Sequence, residues 1–290
     1  MGAETNVIKK ADMAKVRELD FAQLFGENIR GLVKMLGVVR MIPVTAGTAL
    51  KKLTVTGTLQ TDAVAEGDII PLSNYKTTYT TVAEATLNKY RKATTAEAIL
   101  KGGFDQAVNA TNNKMILDIQ KTVRAGLISS LADGTGTASG TGLQAALADA
   151  WGQLQIAFED DAVQTVYFIN PTDVADYLKS AQITVQTAFG MSYIENFLGL
   201  GTVIMTSQVT AGTFYATAAQ NIVAYFINTN EANGLGEAFA FTSDSETGFV
   251  GVHEESNYTR MQSETIAVCG VTFFAEMPAG VIVGTVNSGN

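Results

Sequence analysis

Residues 50–86 read LKKLTVTGTLQTDAVAEGDIIPLSNYKTTYTTVAEAT, and two-residue alternation on either side of an acidic, glycine-containing middle predicts a long β-hairpin. Both flanks are rich in Thr, and neither presents a strongly apolar face. A two-stranded ribbon of this kind is at best marginal in water. Something outside the hairpin must support it, and the rest of the chain is read against that requirement.

Upstream, residues 20–36 place Phe21, Leu24, Phe25, Ile29, Leu32, Val33 and Leu36 on one helical stripe, after a polar and irregular start. The expectation is an N-terminal arm that ends in a helix. Downstream, residues 94–131 carry the longest helical pattern, with Phe104, Val108, Met115, Ile119 and Val123 on a stripe and Gly102-Gly103 expected to break or bend its start. From Phe104 to Leu131 such a helix runs about 40 Å at 1.5 Å per residue, a spine rather than a packing element. The run DGTGTASGTG at 133–142 reads as a flexible linker and a domain boundary. A helix, LQAALADAWGQL, and αβ alternation follow to about Tyr225. Beyond Ala238, GFVGVHEESNYTR and TIAVCGVTFFAEM read as a hairpin of long strands, and GVIVGTV as a final buried strand.

Composition narrows the function classes. Of 290 residues, 47% are hydrophobic and only 16% charged, so the surface must be rich in Thr, Ser, Asn, Gln and Gly, which suits extensive contact between protein molecules. The formal charge of −9 argues against gripping nucleic acid through its phosphates. The basic residues of Lys51-Lys52 and of NKYRK at 88–92 are isolated. Cys269 is the single cysteine, which excludes an intrachain disulfide and a cysteine metal cluster. The opening MGAETNVIKK lacks an apolar signal core, and Asn6 breaks the myristoylation pattern. No apolar run approaches the roughly 20 residues of a membrane span. The expectation is a soluble, unprocessed, intracellularly made protein without membrane contact.

Candidate chemical sites each meet a simpler account. VYFINPTDVADYL at 166–178 is a strand-to-helix corner, where α/β enzymes often place polar residues. Yet Asn170 suits a helix cap, Pro171 the first helical position, and Asp173 a capping-box-like carboxylate. Gly140-Thr141-Gly142-Leu143-Gln144-Ala145 fits a dinucleotide fingerprint only if a strand precedes it, and a long helix is expected to end there instead. His253-Glu254-Glu255 is half of a zinc motif whose second histidine is absent, so a solvated histidine at a strand end is expected. Glu159-Asp160-Asp161 reads as a charged loop, Cys269 as a small buried hydrophobe, and Trp151 as a core anchor. No catalytic residue, cofactor or metal is assigned.

The order of parts, together with LGVVRMIPVTAGTAL, AEGDIIPLS, KYRKATTAEAI, GTGTASGTGLQAALADAWGQL, FINPTDVADYL, QTAFGMSYI and the ETGFVGV region, resembles the major capsid proteins of tailed bacteriophages. The likeness is greatest to those of siphophages of Gram-positive bacteria. The resemblance implies the α+β HK97 fold: an N-terminal arm and helix at 1–49, an extended loop at 50–86, a peripheral domain at 87–141 and 248–277 built on the spine helix, and an axial domain at 142–247 and 278–290. It implies an icosahedral shell of pentamers and hexamers around double-stranded DNA, in a virion assembled in the bacterial host cytoplasm. Partners would be other copies of the chain, a separate scaffolding protein (no scaffolding segment fits before Leu50) and a portal. On the extended loop Glu66, Asp68, Tyr75 and Lys76 are the residues expected to meet a neighbour; no crosslink is assigned to Lys76. Two alternatives stay open: an encapsulin-type nanocompartment shell, and a small-molecule enzyme using the corner near Asn170 with the carboxylates at 159–161.

Overall fold

The computed structural model describes residues 10–37, 40–60, 64–66, 69–158, 163–179, 184–188, 191–229, 238–243 and 248–287. The first element among the described residues is a helix, α1 (Lys10–Leu36), which begins ahead of the stripe at 20–36. Phe21, Phe25, Ile29, Leu32 and Leu36 recur every three or four residues and are all buried, whereas Leu24 is exposed. A stripe this wide finds its partners inside the same subunit. The helix expected at 20–36 is therefore present, and it starts earlier than the polar stretch before Asp20 suggests.

After β1 (Met41–Pro43), β2 (Ala49–Thr58) and β3 (Asn74–Glu84) form the expected ribbon. They pair antiparallel with each other alone, with an irregularity between Leu50 and Lys51. The base is anchored where Leu50 and Ala85 pack with Ile227. The chain returns through β4 (Asn88–Thr95) to α2 (Ala96–Gly102), whose first turn is capped by Thr95 Oγ1 accepting from the Ala98 N–H at 3.3 Å. Gly103, at φ 76°, breaks the helical path as expected. A π turn at Asp105–Asn109 then leads into the spine, α3 (Ala110–Leu131). Val108, Ile119 and Val123 face the core with Ile116, Leu127 and Leu131, but Phe104 lies before the π turn and is exposed.

The stretch expected to be a flexible linker is a strand, β5 (Gly136–Thr141). Its glycines serve close approach: a Cβ on Gly140 would sit 2.3 Å from the main-chain nitrogen of Ala146 in α4 (Leu143–Ala157). A larger residue would push helix and strand apart. Next come β6 (Thr165–Ile169), α5 (Pro171–Leu178), β7 (Gln186–Ala188), β8 (Met191–Ile194), β9 (Thr202–Met205), β10 (Thr213–Ala218) and β11 (Ile222–Phe226). The chain closes with β12 (Thr242–Ser243), β13 (Val250–Asn257), β14 (Gln262–Cys269), β15 (Val271–Ala275) and β16 (Val281–Asn287).

A seven-stranded mixed sheet runs β5-β16-β10-β6-β9-β8-β7, with β6 parallel to β9 and β5 parallel to β16. Every residue of β6 is buried, and its alternation divides the interior. Val166 and Phe168 join a core built with α1, α3 and the strands from β13 to β15, while Tyr167 and Ile169 join a second core under α4 and α5. A second sheet, β12-β13-β14-β4, contains the expected long hairpin. The expected single strand TIAVCGVTFFAEM changes sheet at Gly270, so β14 lies here and β15 in a third sheet, β1-β11-β15. That third sheet takes one strand each from 1–49, 142–247 and 248–277, so these segments share hydrogen bonds.

Candidate assembly surface and polar networks

Among the described residues the two strands of the ribbon pair with no further strand, and its far end carries apolar side chains into solvent. Ile69 is 94% and Leu72 93% exposed, with Leu59 and Ile70 also exposed. Clustered large apolar groups in water mark an interaction surface. Tyr75 is exposed and lies across Gly57, where a Cβ would come within 2.2 Å of Tyr75 Cδ1. Lys76 stands opposite Thr56, and neighbouring positions on a strand face opposite sides, so Tyr75 and Lys76 address different surfaces. Glu66 is an exposed turn residue between the strands; Asp68 lies outside the described residues. The ribbon thus unites Glu66, Tyr75 and Lys76 on one projecting element.

The hydrogen bonds of the corner at Asn170 hold the backbone together. Asn170 Oδ1 accepts from the Thr172 N–H at 3.0 Å and from the Thr172 hydroxyl at 2.8 Å, while its Nδ2 donates to the Val209 carbonyl at 2.7 Å. Pro171 occupies the start of α5, where its missing N–H costs nothing. Asp173 does not complete a capping box. Its Oδ2 accepts from the Gly212 N–H at 2.8 Å, tying α5 to the loop before β10. The carboxylates at 159–161, the other half of the enzyme alternative, lie outside the described residues.

Sequence reasoning missed two polar networks that branch from NKYRK. Arg91 and Lys92 are adjacent on β4 and therefore serve opposite faces. Lys92 Nζ donates to the Val108 carbonyl at 3.1 Å, to Thr111 Oγ1 at 2.8 Å and to Asn112 Oδ1, where the π turn meets α3. Asn112 Nδ2 in turn donates to buried Glu254 at 2.9 Å. On the other face Arg91 holds Glu264 through Nη2 at 2.7 Å and Nε at 2.9 Å, and Asn257 Nδ2 adds a bond at 3.2 Å. The Arg91 hydrogen bond, opposed by burial, holds the Glu264 carboxyl below the usual carboxylate range. The only sequence signal was the pair of adjacent cations on a strand; their partners lie about 20 and 173 positions away, beyond the reach of local pattern.

Three further expectations are settled by burial. His253 sits in the middle of β13 opposite Ile266, not at a strand end, because the strand runs on to Asn257. Trp151 is exposed, since the buried stripe of α4 runs through Leu143, Leu147, Ala150 and Leu154 and leaves Trp151 at its edge. Cys269 is buried, and that burial pushes its thiol up to about 12.

No family model matches the chain, and no curated protein matches it in sequence. Solved structures do match in three dimensions. A protein of Gordonia phage Cozz aligns at a TM-score of 0.58 and 11% identity over 89% of this chain and 87% of its own. The virus-like particle from Pyrococcus furiosus aligns at 0.51 and 13%, over 92% and 98%. The holo encapsulin complex from Synechococcus elongatus PCC 7942 aligns at 0.52 and 10%, over 88% of each chain. No helix among the described residues is long and apolar enough to cross a membrane. A ribbon, a long helix and a mixed seven-stranded sheet in this order, matched over most of the chain by a phage protein, a virus-like particle and an encapsulin complex, give the chain the HK97-like α+β capsid fold.

Proposed function

We propose that the chain is the major capsid protein of a tailed bacteriophage, of the kind found in siphophages of Gram-positive bacteria. It self-assembles into pentamers and hexamers of an icosahedral head around double-stranded DNA. The observation that carries this reading is the ribbon, which among the described residues pairs with no further strand and holds Ile69 and Leu72 in water. Ordering those residues costs backbone and side-chain entropy that a lone subunit does not recover. Contact with a second copy recovers it by burying apolar area. The formal charge of −9 suits a container wall that must not hold the genome through many phosphate contacts. A separate scaffolding protein and a portal complete the assembly, which takes place in the host cytoplasm and ends in the virion.

An encapsulin-type compartment has the same demand for self-association, and the likeness to an encapsulin complex favours it as a second reading. Contents separate the two: copurified double-stranded DNA belongs to the phage head, copurified cargo protein to the compartment. Catalysis has no part in the proposal, because Asn170 and Asp173 are committed to capping and cross-tying. Sedimentation with negative-stain electron microscopy of the full chain tests it. Closed shells of megadalton mass are expected; a persistent monomer or dimer under assembly conditions would refute shell formation.

A further inference from the structure

Between the carboxyl ends of the parallel strands β6 and β9 and the spine helix lies a cavity of about 360 Å³. Its chemistry is set by Gln208, which lines it just past the end of β9. Gln208 Nε2 donates to the Lys121 carbonyl at 3.1 Å, and the Gln208 N–H donates to Thr206 Oγ1 at 3.3 Å, so backbone and side chain are both held. The first of these bonds also fixes which way the amide faces, because the reverse orientation would set two carbonyl oxygens against each other. Gln208 Oε1 is left on the other branch of the amide. It is buried, and among the described residues it meets no donor. A buried acceptor that has given up water without gaining a partner is uncommon in folded proteins, and it marks a place where a donor belongs.

The rest of the lining decides what kind of donor fits. Lys121 and Arg124, one turn apart on α3, would repel an ammonium group. A carboxylate or phosphate offers acceptors alone and would face Gln208 Oε1 lone pair to lone pair, and the half-buried Arg124 already has a partner within the chain. What remains is an uncharged group with a donor and an acceptor side by side. A carboxamide carries the two on separate atoms, so one can serve Gln208 while the other faces the hydroxyls of Ser192 and Ser207 or the Lys121 ammonium. Met191 and Met205 supply an apolar wall beside them. Crevices at the carboxyl ends of strands are where open α/β sheets bind ligands, and this volume falls in the range of small-molecule sites. We propose that the cavity binds a small molecule bearing a primary carboxamide on an apolar body, with the amide N–H donating to Gln208 Oε1. The inference does not depend on the shell reading, since every residue it uses lies within one subunit.

The test measures binding to the full, unassembled chain by calorimetry and ligand-observed NMR with three probes of nearly one shape: benzamide, acetophenone and benzoate. Acetophenone replaces the amide NH₂ by a methyl group and so lacks the donor, whereas benzoate lacks the donor and adds a charge. Benzamide should bind about tenfold more tightly than either, as expected for one hydrogen bond to a buried acceptor. In Gln208→Met, which keeps the length of the side chain and removes the acceptor, benzamide should fall to the level of acetophenone. If that variant fails to fold, the comparison of the three probes on the wild-type chain still decides. Absence of benzamide binding would overturn the proposal and leave Gln208 Oε1 to water alone. So would binding of acetophenone or benzoate as tight as that of benzamide, or an undiminished preference for benzamide in a folded Gln208→Met.

Discussion

Helix α1 and the β2–β3 ribbon both lie within the first third of the chain, and they dispose of their apolar residues in opposite ways. The helix turns Phe25, Ile29 and Leu32 into one core with α3 and β13, and all three are fully buried. The ribbon alternates Thr along its strands and concentrates apolar residues in its turn region, so it has no long apolar face to lay on its own subunit. An apolar stripe along an element selects an intramolecular partner, whereas apolar residues confined to an end select another molecule. That contrast predicts where mutations will unfold the subunit and where they will leave it folded but unassembled.

The largest effect on stability belongs to the helix. Phe25→Ala should cost about 3–5 kcal/mol, because it opens a cavity where α1 meets the core. Denaturant unfolding of the full chain checks this, and a loss below about 1 kcal/mol would show that α1 is not part of the core. At the other core, Asn170→Ala should cost about 1–2 kcal/mol. It removes the cap on α5 and leaves the Val209 carbonyl without the 2.7 Å bond from Asn170 Nδ2. A change in some catalytic turnover with stability intact would favour the enzyme alternative.

How much of this was legible follows from the range of each signal. The ribbon, the spine helix and the buried strand at 165–169 were readable because two-residue and 3.6-residue periods are local. The glycine run before α4 misled because glycine marks both a flexible linker and a strand pressed against a helix. The 2.3 Å approach at Gly140 is a tertiary fact. The length of α1 was missed because its first turns lack the apolar stripe that residues 21–36 carry. Asp173 read as a capping box from its spacing, but the Gly212 N–H, 39 positions away, captures the carboxylate. At the candidate surface the residues on the hairpin could be named, while the Lys92 and Arg91 networks depend on partners that only the fold brings together.

The Arg91–Glu264 pair gives a smaller, pH-resolved effect on the same body. Because the folded-state pKa of Glu264 lies below its ordinary value of 4.5, its contribution to stability is present above that value and is lost as pH falls through the depressed folded pKa. Arg91 is more than half exposed, so solvent screens the pair and its share of total stability is modest. Unfolding midpoints measured from pH 6 down to pH 3 should fall less steeply in Arg91→Gln than in wild type. Identical slopes would mean that the bond does not shift the carboxyl.

The smallest effect on stability belongs to the ribbon, where it should accompany the largest effect on assembly. Ile69 and Leu72 are almost wholly exposed in the subunit, so Ile69→Ser with Leu72→Ser removes no intramolecular packing and should move the unfolding free energy by no more than about 0.5 kcal/mol. Between subunits the same two side chains are apolar area to be buried, at roughly 25 cal/mol per Å², multiplied over every copy in a shell. Deleting residues 56–76 goes further, removing the turn, Tyr75 and Lys76 while leaving the base cluster of Leu50, Ala85 and Ile227. Both variants should stay folded and soluble, sediment as small species, and give no shells in the electron microscope. Normal shells from the deletion would show that the ribbon is dispensable and that the exposed surface driving association lies elsewhere on the subunit.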